Sequence, residues 1–177
     1  MLSFSRADLL IGLVILAVLL PLIWWRKHSL AYLLAFSLFW FYGLFVVSEI
    51  IFPLTPDTGL PHFNLIPLNL GCSLHEPLCL RNFIANILIT MPFGFGINFL
   101  VSLKPKSYFW LASAVGLGLE LSQLAASLAF QSSFHVADIN DSILNAIGVL
   151  LGYAVFRILG WLYRSLTDVT RSKPGQP

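Results

Sequence analysis

The chain has 177 residues, of which 58% are hydrophobic, 14% aromatic and 10% charged, with ten Lys and Arg against eight Asp and Glu for a formal net charge of +2. With a mean hydropathy of +0.84, so few charged side chains cannot cover a soluble globule, and intrinsic disorder is excluded by the same arithmetic. A charge of +2 without a basic stripe also argues against nucleic-acid binding, which leaves a single polytopic membrane domain spanning 1–177.

A span requires about 20 mainly apolar residues. Five stretches qualify, at roughly 8–25, 29–52, 82–103, 107–130 and 138–163, and predict an all-α transmembrane helix bundle. The first has a long apolar run with no small-x-small cleavage site after it, so it is read as a retained helix and not as a secretory leader. Between the second and third spans, Pro53, Pro56, Pro61, Pro67 and Pro77 make 53–81 a loop or re-entrant segment. Within the third, Pro92 removes the usual partner of the Leu88 carbonyl and predicts a kink.

The Lys and Arg near span ends set the expected orientation. One side collects Arg26, Lys27, Lys104, Lys106, Arg164, Arg171 and Lys173; the other holds Arg6 and Arg81. Because basic loops stay cytoplasmic, the N-terminus is expected outside and the C-terminus inside. Arg157 lies within the last span and is expected to snorkel. Trp24, Trp25, Trp110, Trp161 and Tyr163 flank the basic loops as an interfacial belt. Cys72 and Cys79 then fall in the outward loop, where an oxidising compartment would join them; two free thiols is the alternative. Together with His62 and His75 their spacing fits no standard zinc pattern, so no metal is assigned to them.

Polar residues at membrane depth are costly and normally face a bundle interior or a wet cavity. Three spans carry them at helical spacing: Asn82, Asn86, Thr90, Gly94 and Asn98; then Ser113, Gly116, Glu120, Gln123 and Ser127; then Asp138, Asp141, Asn145, Gly148 and Gly152. The last ends in a Gly-x-x-x-Gly pair suited to close helix approach. At about 1.5 Å of rise per residue, Asn86 and Asp141 lie about 5 Å in from the outer ends, Gln123 and Asn145 about 10 Å, and Glu120 about 15 Å. With Asn64, Asp138 and the outer-loop histidines, His135 among them, they are candidates to line a cavity opening outward, with Glu120 as its floor. Plainer roles compete: Asp138 and Asp141 as helix caps, and Asn86, Gln123 and Asn145 as interhelical hydrogen-bond partners. Glu120 is harder to explain structurally, because a carboxyl at its depth either stays protonated or requires a compensating charge.

Asn64-Leu65-Ile66-Pro67, Asn86 with Pro92 and Gly94, Glu120-x-x-Gln123 and Asp138-x-x-Asp141-x-x-x-Asn145-x-x-Gly148-x-x-x-Gly152 occur in an order and spacing that resembles the VanZ-like family of small bacterial membrane proteins, over about 62–157. One departure is His135, where that family usually has Arg three residues before the first Asp; His pairs with acids only when protonated. The resemblance implies a multi-pass protein of the bacterial cytoplasmic membrane and, for the name-giving members, lowered susceptibility to glycopeptide antibiotics such as teicoplanin. It implies no agreed reaction. The favoured expectation is a non-enzymatic envelope protein binding a lipid-linked wall component or an amphiphilic antibiotic, with no cofactor. The alternatives are an enzyme holding Mg²⁺ at Asp138 and Asp141, with Glu120 or His135 as general base, and a proton-coupled transporter, which would need a second copy in a homo-oligomer.

Overall fold

The structure is a computed structural model and describes residues 3–52, 63–69, 71–73, 75–130 and 137–171. Its architecture is all-α, with five helices among the described residues long and apolar enough to cross a membrane. They are α1 (Arg6–Trp25), α2 (Leu30–Ile50), α3 (Pro77–Gly96, extended by a 3₁₀ turn Ile97–Phe99), α4 (Ser107–Phe130) and α5 (Ile139–Arg171).

Local chemistry sets the ends. Ser5 and Asp8 form a capping box at the start of α1, the Asp8 carboxylate accepting from the Ser5 N–H at 2.8 Å. At the other end, Arg26 and Lys27 donate their N–H groups to Ile23 and Trp24 carbonyls, and Lys27 adopts a positive φ of 60° to turn the chain. Ser29 then caps α2 by accepting from the Tyr32 N–H. Pro77 opens α3 in its first turn, where an N–H would lack a helical partner anyway. The helix continues through Pro92 and stops before 103 because of Asn98. That side chain donates to the Gly94 and Phe95 carbonyls at 2.8 and 3.0 Å, satisfying the last turn, and accepts from the Tyr108 hydroxyl at 2.6 Å. Asn98 therefore joins α3 to the start of α4.

The core is a three-helix unit. α3 and α5 run parallel at a constant offset: the Asn86 side chain faces Asp141, the Thr90 hydroxyl donates to the Asn145 carbonyl at 2.8 Å, and Gly94 lies against the backbone of Val149. Gly148 and Gly152 return the contact, seated on the Ile87 and Met91 carbonyls. α4 runs antiparallel to α5, with Gly116 against Ser142, Glu120 beside Asp138, and the Tyr108 and Tyr153 rings stacked at 3.7 Å. Small residues let these backbones approach, so packing and interhelical hydrogen bonds hold a bundle that has no hydrophobic driving force against lipid. Arg157 reaches back to the Tyr153 hydroxyl at 3.1 Å. At 33 residues α5 is about 50 Å long, some 20 Å more than the hydrocarbon core, so its last turns leave the apolar layer.

The α1–α2 hairpin is attached more lightly. Trp40 donates to the Gly12 carbonyl at 3.0 Å within it, and Tyr42 donates to the Ile89 carbonyl at 2.5 Å to tie it to α3. Most of its apolar side chains, among them Leu10, Val14, Leu34 and Leu38, remain exposed.

Candidate functional site

The loop before α3 and the segment entering α5 meet at one end of the bundle. Phe63–Asn64 and Ala137–Asp138 form a two-residue parallel bridge, which brings Asn64 to Asp138. Asn64 donates to the Asp138 carboxylate at 2.9 Å and to the Asn69 carbonyl at 2.7 Å. The other carboxylate oxygen of Asp138 caps α5, accepting from the Asn140 N–H at 2.8 Å.

Asn140 is the centre of this frame. Only 4% exposed, its amide nitrogen donates to the Asn69 carbonyl at 2.9 Å, the Ile66 carbonyl at 3.3 Å and Asp138 at 2.8 Å, while its oxygen accepts from the Leu68 N–H at 2.6 Å. Residues 64–69 thus form a strap held onto the start of α5. Leu68 takes a positive φ of 67° to present its N–H, a conformation that costs a β-carbon-bearing residue about 1 kcal/mol or more. Farther along, Cys72 and Cys79 are joined by a disulfide that ties the loop to the first turn of α3.

Glu120 is 7% exposed, yet among the described residues no cation contributes to its surroundings. Its carboxylate accepts from the Asp138 N–H at 3.0 Å. That bond places it at the amino end of α5, where the aligned peptides carry about half a positive charge. Asp141, in the first turn of α5, faces the Asn86 side chain of α3. The three carboxylates lie close enough to repel one another.

Two cavities flank Asp138. One, of about 130 Å³, is lined by Asn82, Asn140, Asp138, Asp141 and the Cys72–Cys79 disulfide. The second, of about 260 Å³, sets Glu120 and Asp138 against apolar walls from Phe63, Leu65, Leu117, Leu121 and Leu124. Phe63, Leu65, Leu117 and Leu121 are themselves exposed, so this cavity opens sideways towards the lipid. An acidic floor under hydrocarbon walls suits a ligand that is part cation and part hydrocarbon.

Asn64, Asn86, Glu120, Asp138 and Asp141 are thus gathered at one end. Gln123 turns away to donate to the Ile50 carbonyl at the end of α2, 3.1 Å distant. Asn145 is buried between α3 and α5, its side-chain oxygen without a partner among the described residues, as is the hydroxyl of Ser127. Pro92, Gly94, Gly148 and Gly152 belong to the packing seam below. His135 and His62 lie outside the described residues, and among the described residues no cluster of three His, Cys, Asp or Glu side chains is arranged to hold a metal. Sequence reasoning missed Asn140, whose signal is the short run Asp138-x-Asn140 at a helix start.

No curated protein and no solved structure matches the chain. A family model described as VanZ/LLP1 matches residues 39–160, from the middle of α2 through the apolar length of α5. That match takes in Asn64, Glu120 and the whole α5 motif, and covers more than half of the sequence. The chain is a multi-pass membrane protein and belongs to the VanZ/LLP1 family.

Proposed function

We propose that this is a non-enzymatic protein of the bacterial cell envelope, lying in the cytoplasmic membrane with its N-terminus outside. On this reading the Glu120, Asp138 and Asp141 end faces outward and binds an amphiphile, either a lipid-linked wall component or a lipoglycopeptide antibiotic such as teicoplanin. The observation that carries the reading is the lateral cavity in which Glu120 and Asp138 sit beneath Phe63, Leu65, Leu117 and Leu121. A ligand anchored in the outer leaflet would enter it sideways, leave its tail against the leucines and bring an amino group to the carboxylates.

The hydrogen bonding favours this over Mg²⁺-dependent catalysis. Both oxygens of Asp138 already accept from Asn64 or Asn140, so a metal would compete with the frame that holds α5 and the strap together. The orientation rests on the seven bases at one end against Arg6 and Arg81 at the other.

In cells, Glu120→Gln and Asp141→Asn remove the charges while keeping shape. Each is expected to shift teicoplanin susceptibility at least about fourfold towards that of cells lacking the protein, as loss of about 1 kcal/mol of charge recognition would do. Unchanged susceptibility in a correctly inserted double variant contradicts the proposal.

A further inference from the structure

The end of the bundle opposite the three carboxylates is basic. Between α2 and α3 runs an apolar groove of about 550 Å³, walled by Ala31, Leu34, Ala35, Leu38, Phe95 and Phe99. It begins in the first turn of α2 and ends at Tyr42, eleven residues on, so its length is about 16 Å. That is close to half the roughly 30 Å hydrocarbon thickness, the depth of one leaflet. Its inner end is closed by the Tyr42 hydroxyl bonded to the Ile89 carbonyl and by the Phe39 and Phe93 rings in contact at 5.3 Å.

Bases flank in sequence the segments that build this end of the groove. Arg26 and Lys27 immediately precede α2, and Lys104 and Lys106 follow shortly after Phe99; all four are exposed. His28 stacks on Tyr32 at 4.3 Å beside them. No acid occurs in 26–48 or 82–106, the stretches that build the groove and its mouth. A groove one leaflet deep with unopposed positive charge at the headgroup level is complementary to one kind of molecule.

We propose that this groove holds an acyl chain of an anionic glycerophospholipid whose headgroup phosphate lies among Arg26, Lys27, Lys104 and Lys106. The bound chain fills the gap between the lightly attached α1–α2 hairpin and α3, and so fixes the hairpin on the core. The site is independent of the acidic end and of the function proposed for it. A groove of about 580 Å³ on the other side of Phe39 and Tyr42 is built from stretches 36–47, 90–93 and 115–119, farther along the helices from these four bases, so it offers no such selectivity.

The test uses the full-length protein in neutral detergent, with added phosphatidylglycerol or phosphatidylcholine of identical chains. Phosphatidylglycerol is expected to raise the melting temperature by about 3–6 °C and phosphatidylcholine by less than about 1 °C. Ala35→Phe, which fills the groove, and Arg26→Gln, Lys27→Gln, Lys104→Gln and Lys106→Gln together, which remove the four bases, are each expected to abolish the difference. A phosphatidylglycerol with a photoreactive acyl chain should label 31–42 and 92–99 of the unaltered protein. Equal stabilisation by the two lipids, a phosphatidylglycerol effect that survives both variants, or label spread over all five helices would overturn the proposal. Should either variant fail to fold, the labelling pattern of the unaltered protein decides.

Discussion

Gly148→Val is expected to lower the melting temperature of the bundle by about 10 °C. A β-carbon at Gly148 would run into the Thr90 hydroxyl and the Ile87 carbonyl, and the second of these is backbone that cannot rotate aside. The same holds for Gly94 against Val149, Gly116 against Ser142 and Gly152 against Met91. Separating α3 from α5 far enough to admit the side chain would also break the Thr90 to Asn145 bond. Overpacking of this kind costs about 3 kcal/mol or more, a drop of about 10 °C in melting temperature for a chain of this size. Gly118 and Gly160 have nothing within 4 Å of such a β-carbon, so Gly118→Ala and Gly160→Ala should melt at or slightly above the parent temperature. A seam variant as stable as these controls would contradict the close α3–α5 packing.

The next largest effect is expected at Asn140→Leu. This substitution removes the acceptor of the Leu68 N–H and the donor to the Asn69 and Ile66 carbonyls, and it leaves Leu68 in a left-handed conformation with nothing to hold it there. At about 1 kcal/mol per bond, with a further penalty for buried groups left unpaired, the strap loses about 3 kcal/mol. Amide hydrogen exchange in 64–69 should then accelerate by about a hundredfold, whereas exchange in the α3–α5 seam stays close to the parent. Equal acceleration in both regions would show that Asn140 supports the whole bundle instead of the strap.

The five helices were legible in the sequence because lipid imposes length and hydropathy with little ambiguity. So was the use of Gly148 and Gly152 for close approach, since their spacing keeps both on one face. The end of α3 was not legible: the apolar run continues beyond Gly96, where the Asn98 side chain, bonding backwards to two carbonyls and across to Tyr108, satisfies the last turn. Helical spacing also groups residues that tertiary structure separates. Gln123 is one turn from Glu120, yet the rotation between them is enough to send it to α2, while Asn145 sits in register with Asp141 but lies below the cavities, within the seam. Asn140 fell outside the periodic stripe because it faces the strap and not the neighbouring helices. Its role comes from a contact with residues about seventy positions earlier, which no local pattern encodes. The partner of Glu120 escaped notice for a similar reason: a search for a cationic side chain passes over a backbone N–H at the start of a helix.

Ligand binding to the purified protein is the direct test of the cavity at Glu120 and Asp138. Full-length protein in lipid nanodiscs would be titrated with fluorescent teicoplanin, in parallel with Glu120→Gln at an unchanged melting temperature. Saturable binding to the parent, weakened at least about tenfold by the substitution, is the expected result, since a tenfold loss corresponds to about 1.4 kcal/mol of charge recognition in a partly desolvated site. Equal affinity in the two proteins would remove Glu120 from the recognition of this ligand and contradict the account.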